Sequence, residues 1–153
     1  MAKQDDGDSM LFFAYGSLVN PDVLAEFCPG AKPVGKARIT DHALCFTGHS
    51  ERWDGPTATI GLAPNCELWG ALYEIDDEGR AAIERSGTPD GYVWSFTSVR
   101  NGDGAPVSAG VLCKVRDFER HSPSENYLNA LRAGWEHWGL DGARMLQEVP
   151  HTV

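Results

Sequence analysis

The chain has 153 residues, 42% apolar and 23% charged, with 13 basic and 22 acidic side chains and a net charge of −9. This length carries one domain with a real core, and the composition is that of a water-soluble globular chain. The acidic field repels polyanions, so nucleic acid is excluded as an expected partner, and no apolar run is long enough to span a membrane.

Residues 1–9 are polar and acidic and read as a disordered tail ahead of a single domain over 10–153. Leu11-Phe12-Phe13-Ala14 then forms an apolar strand leading to Tyr15-Gly16-Ser17-Leu18. Gly16 has no Cβ, so the backbone there can turn or come close to a ligand. Asn20-Pro21-Asp22 opens a helix carrying Val23, Leu24 and Phe27. A strand, a glycine turn and a helix start together aim several backbone N–H groups at one spot, which suits a carboxylate or phosphate. The plainer reading is a core strand ended by a glycine turn.

Pro29-Gly30 ends that helix, and residues 33–36 read as a connector. Residues 37–46 alternate as a strand, and residues 47–56 read as a polar loop carrying Trp53. That loop is either a surface loop pinned by one aromatic or one wall of a pocket. Residues 57–62 form a short third strand, Pro64-Asn65 turns the chain, and residues 68–75 form the clearest strand of all. Asp76-Asp77 caps a helix over 77–85 with Ala81, Ala82 and Ile83 inward, and Gly87 is placed to stop it.

Thr88-Pro89-Asp90-Gly91 is a turn, because Pro sets φ and Asp-Gly tolerates positive φ. Residues 92–99 and 106–115 pair as a hairpin across Asn101-Gly102-Asp103-Gly104. The last long helix runs over 125–138 with Tyr127, Leu128, Leu131 and Trp135 on one face, and a short helix falls within 141–149. Trp135 and Trp138 read as core in preference to a dimer patch, and the oligomeric state is left open. Cys28, Cys45, Cys66 and Cys113 are scattered and the histidines form no ligand pattern, so no metal or other cofactor is expected. The thiols are expected reduced in a cytoplasmic protein. Five to seven mostly antiparallel strands with three or four helices give an α+β expectation, a small mixed β-barrel with flanking helices and a ligand at its mouth.

The chain resembles the γ-glutamylcyclotransferase family. Phe13-Ala14-Tyr15-Gly16-Ser17-Leu18 is similar to its tyrosine-glycine-serine signature, and four further blocks follow in the family's order. They are Trp53 to Ile60, Leu68 to Ile75, Gly87 to Tyr92, and Pro123 to Tyr127 with Gly134 and Gly139-Leu140. The resemblance implies a mixed barrel whose Gly16, Ser17 and Leu18 amides, beside Tyr15, hold a substrate carboxylate. It implies a small-molecule substrate with a free carboxylate and an intramolecular acyl transfer. The α-amine of a γ-glutamyl group attacks its own γ-carbonyl, 5-oxoproline closes, and an amine leaves. Tyr92 and Tyr127 match family pocket positions, where their hydroxyls orient substrate. A tyrosine on an apolar face is otherwise core with its hydroxyl at the edge.

The resemblance departs at two places. Leu18 stands where many members carry asparagine. Ser86 stands where the family carries its catalytic glutamate, and a serine hydroxyl is too weak an acid to shuttle protons near neutral pH. Ser86 is then a helix-end hydroxyl bonded to backbone or a polar group of an altered pocket. Glu84 is either a solvated surface charge or the relocated base, brought in by a slip at a frayed helix end, and it is taken as the catalytic candidate. Asp90 is another. The alternative function is a non-catalytic carboxylate-binding protein on the same scaffold.

Overall fold

The computed structural model describes residues 9–114 and 119–149. Apart from Ser9, the expected tail lies outside the described residues, as does Val115 at the end of the expected last strand. Five strands close a barrel in the order β1-β3-β2-β4-β5. They are β1 (Met10–Ala14), β2 (Lys32–Ser50), β3 (Gly55–Ile75), β4 (Tyr92–Arg100) and β5 (Pro106–Lys114). All neighbours are antiparallel except β1 and β5, which meet in parallel with Phe12 opposite Gly110 and seal the barrel. Four helices flank it: α1 (Pro21–Phe27), α2 (Asp77–Gly87), α3 (Glu125–Trp138) and α4 (Gly142–Gln147). This is the expected mixed barrel, and no described helix is long and apolar enough to cross a membrane.

The β2–β3 hairpin is longer than its sequence suggests. The expected connector at 33–36 belongs to β2, and the expected turn at Pro64-Asn65 lies inside β3. Thr40 pairs with Glu67 but His42 with Leu62, so residues 63–66 bulge out opposite Asp41. Both Asp41 (φ 63°) and Asn65 (φ 70°) are left-handed, and the Asn65 N–H donates to Asp41 Oδ1 at 2.9 Å. Pro and Asn here bend a continuous ladder instead of reversing the chain. The polar loop expected over 47–56 shrinks to a turn at residues 51–54, because Thr47 pairs with Thr57 and Ser50 with Gly55.

The helices start where their caps dictate. Asn20 caps α1 by accepting from Asp22 N–H, and its amide also donates to Ala130 O at 3.1 Å, tying α1 to α3. Asp76 caps α2 and Ser124 caps α3. Helix α2 faces the barrel through Gly79, Ile83 and Gly87, four residues apart, so Ala81 is exposed and not inward as its apolar side chain suggested. Phe13, Leu72, Ile83 and Leu131 are fully buried in the core. Trp135 joins that core, and the half-buried Trp138 packs edge-on against Tyr73. Among the described residues no group of three or more His, Cys, Asp or Glu side chains could hold a metal.

Candidate active site

Strand β1 leaves the barrel at Tyr15, whose buried phenol donates to Leu112 O at 2.6 Å and locks the exit to β5. A 3-10 turn over Ser17–Val19 follows. Its first internal bonds run from Val19 N–H to Gly16 O and from Asn20 N–H to Ser17 O, so the N–H groups of Gly16, Ser17 and Leu18 stand ahead of them. The Ser17 N–H is directed at the Tyr127 phenol oxygen. Among the described residues no protein group pairs with the N–H of Gly16 or Leu18. Gly16 has an ordinary negative φ of −97°, so its value is close approach, since an added Cβ would lie 3.2 Å from Tyr127 Oη.

Three phenols converge on consecutive residues of β3. Tyr127 Oη accepts the Ala58 N–H at 2.8 Å, Tyr92 Oη donates to Ala58 O and shares a hydrogen bond with the Thr57 hydroxyl at 3.0 Å, and Tyr15 lies beside Thr59. Burial pushes all three phenols above their ordinary range, Tyr127 to about 12, and their mutual proximity adds to the rise for Tyr15 and Tyr92. They are therefore neutral near physiological pH and serve as fixed hydrogen-bonding groups. Sequence reasoning read residues 57–59 only as a strand, yet Ala58 is the hub, and its small side chain makes room for the rings around it.

Helix α2 supplies the facing wall. Ser86 lines the cavity, and its hydroxyl donates to Ile83 O at 2.7 Å within its own helix. Glu84 does not line it. No slip occurs at the helix end, because Gly87 and Thr88 both keep right-handed helical backbone, so Glu84 stays two positions from Ser86 and points elsewhere. The Glu84 carboxylate pairs with Arg80 at 2.7 Å and is 41% exposed. The α-helix ends at Gly87, as expected, without reversing the chain. A 3-10 turn over Thr88–Asp90 continues it, and Gly91 at φ 92° makes the reversal into β4, a conformation only glycine adopts freely. Asp90, half-buried at the end of that turn, lines the cavity.

The space between these walls is a cavity of about 600 Å³. Tyr15, Gly16, Ser17 and Leu18 from the β1 exit, Ser86 and Asp90 from the α2 exit, and the phenols of Tyr92 and Tyr127 all line it. The β2–β3 turn forms the rim, so the open question about Trp53 resolves as a pocket wall. Trp53 packs edge-on against Tyr127, with centroids 5.4 Å apart, and its carbonyl accepts from Ser124 Oγ at 2.6 Å. Arg52, which the sequence did not single out, lies 4.7 Å over the Trp53 ring and pairs with Glu26 of α1 at 2.9 Å, bridging the rim. Lys114 was missed as well. It is buried beneath the rim, where Nζ donates to Thr47 O at 2.5 Å and Thr57 O at 3.3 Å. Burial lowers its pKa to about 8, partly offset by the charge of Asp90.

No protein-family model matches the chain. Gamma-glutamylcyclotransferase of Bos taurus is 28% identical over 144 residues, covering 90% of this chain and 76% of that protein. The human protein of the same name is 28% identical over 141 residues, covering 88% and 74%. Among solved structures, a gamma-glutamyl cyclotransferase superposes with a TM-score of 0.83 at 24% identity, covering 95% of this chain and 92% of that one. A yeast gamma-glutamyl cyclotransferase specific to glutathione superposes with a TM-score of 0.63 at 14% identity, covering 93% and 96%. Across most of its sequence, and in a closed barrel with flanking helices, the chain is γ-glutamylcyclotransferase-like.

Proposed function

We propose that the protein is an enzyme that closes the γ-glutamyl group of a small amide or dipeptide into 5-oxoproline, releasing an amine or amino acid. The observation that carries this reading is the pair of main-chain N–H groups at Gly16 and Leu18, without protein partners among the described residues, on the wall of a cavity sized for such a molecule. A carboxylate bound there makes charge-assisted hydrogen bonds with donors already fixed in place. The phenols of Tyr92 and Tyr127, held on Ala58, limit where the rest of the substrate lies.

The reaction suits a site of this kind. Nucleophile and electrophile belong to one molecule, so holding the folded-back conformer supplies much of the acceleration. N–H donors near the carbonyl stabilise the developing oxyanion. Two protons must leave the α-ammonium nitrogen and pass to the departing nitrogen. Glu84 is outside the cavity, and the Ser86 hydroxyl is too weak an acid to move them.

The competing reading, a carboxylate-binding protein without turnover, rests on Ser86 in the family's glutamate position. Release of 5-oxoproline from a panel of γ-glutamyl amines and dipeptides separates the two. Turnover with at least one member is expected. Binding of 5-oxoproline with no turnover across the panel selects the binding protein.

A further inference from the structure

We infer that Asp90 is the catalytic carboxylate of this site, carried onto the cavity face one helical turn beyond Ser86. The inference rests on the cyclising reading above. Its geometry begins with the backbone. Ser86 faces the cavity, Gly87 and Thr88 keep right-handed helical dihedrals, and the 3-10 turn Thr88–Asp90 prolongs the same winding. Ser86 and Asp90 both line the cavity, whereas Glu84, two positions before Ser86 on the α-helix and so about 200° away around it, turns toward Arg80. Gly91 then reverses the chain, so that Tyr92 also lines the cavity.

Among the described residues two carboxylates line the cavity, Asp90 and Glu51. Glu51 is exposed on the rim turn. Asp90 is half-buried, and its charge reaches inward to the phenols of Tyr92 and Tyr127 and to the buried Lys114, each of which it holds toward the protonated form. No protein cation or donor pairs with the Asp90 carboxylate among the described residues. A carboxylate free of protein partners among the described residues, lining the same cavity as the Gly16 and Leu18 amides, is available for proton transfer.

The step balances around that one group. The Asp90 carboxylate takes a proton from the substrate α-ammonium. The freed amine attacks the γ-carbonyl carbon, forming the ring C–N bond and an oxyanion. The carboxylic acid gives its proton to the departing nitrogen as the old C–N bond breaks. The regenerated carboxylate then takes the second proton from the ring nitrogen, leaving neutral lactam, and passes it to the released amine, which departs as an ammonium.

The test compares kcat and KM for 5-oxoproline release by the full chain and by Asp90→Asn, Glu51→Gln and the double variant Asp90→Asn with Ser86→Glu. Asp90→Asn is expected to lose about 10²–10⁴-fold in kcat with KM little changed. Adding Ser86→Glu to Asp90→Asn is expected to recover at least about tenfold, because it puts a carboxylate back in the same cavity, and a Glu51→Gln loss as large as that of Asp90→Asn overturns the assignment to Asp90 alone. A wild-type-like kcat in Asp90→Asn overturns the assignment and leaves the cyclising reading standing. Wild-type protein without turnover on any substrate overturns both. Should Asp90→Asn fail to fold, carboxyl NMR of the wild type decides. The Asp90 signal is expected to shift on adding 5-oxoproline, and an unmoved signal under saturating ligand overturns the proposal.

Discussion

The two walls of the cavity are built on different principles. At the β1 exit the bonds join distant parts of the chain: Tyr15 to Leu112, Asn20 to Ala130 and Tyr127 to Ala58, each at least 69 residues apart. At the α2 exit they are local: Ser86 to Ile83, Thr88 to Glu84 and Arg80 to Glu84, none more than four residues apart. A side chain in the first wall cannot change without disturbing strands elsewhere in the barrel. One in the second can change at the cost of a helix-end contact. That difference explains how a carboxylate can move by one turn of α2 while the amide-bearing turn keeps its form.

Tyr127→Phe strikes the first wall hardest. The Phe ring keeps the edge contact with Trp53, but the Ala58 N–H loses its acceptor in a site where Tyr127 is 1% exposed. Orphaning a buried donor costs about 1–3 kcal/mol, so denaturant unfolding is expected to show a loss of about that size. Because Gly16 lies close against that oxygen, affinity for 5-oxoproline is expected to fall in the same variant. Unchanged stability and affinity together would break the contrast between the walls.

Lys114 sharpens the contrast from beneath, since its ammonium ties Thr47 of β2 to Thr57 of β3 just below the rim turn. Burial brings its folded pKa to about 8 from an ordinary 10.5. Between those values the unfolded chain holds the extra proton, so raising pH favours the folded state. The neutral amine still has two N–H groups for the two carbonyls. Relative to Lys114→Met, the wild type is therefore expected to gain stability between pH 7.5 and 9.5, on the order of 1 kcal/mol. Below about pH 8 the burial penalty on the charged form is fully present, and the gain is absent. A difference that stays flat across that range would place the ammonium in a wetter site than its burial indicates.

The first wall was legible because its parts are consecutive. A strand, Gly16 and a capped helix start announce themselves within a dozen residues, and Asn20 and Asp76 cap as their types dictate. The second wall was legible only as a departure. Gly87 reads as a helix stop, yet the α2 backbone runs through it into the turn over Thr88–Asp90, with Gly87 packed closely against Tyr92 and Leu112. That packing joins distant residues, so spacing alone could not reveal that the winding continues to Asp90. Pro64-Asn65 misled for the same kind of reason, since whether turn residues reverse a chain or bulge out of a ladder depends on the partner strand, here Asp41. Lys114 ends a mostly apolar strand, where a charge ordinarily reaches solvent. Only the two carbonyls converging from β2 and β3 explain its burial.

The smallest effect belongs to Glu84, and it tests the second wall directly. Its pair with Arg80 is an exposed i,i+4 bridge, and Arg80 also lies 4.7 Å over the Trp94 ring, so the guanidinium stays in place without the carboxylate. Such bridges contribute about 0.3–0.5 kcal/mol, and Glu84→Gln is expected to lower unfolding stability by no more than that. Its rate of 5-oxoproline release is expected to match the wild type. A large fall in kcat with the fold intact would mean that the end of α2 unwinds when substrate binds and swings Glu84 inward. Local bonds are what make that motion conceivable. The 3-10 turn that carries the helical path on to Asp90 is what opposes it.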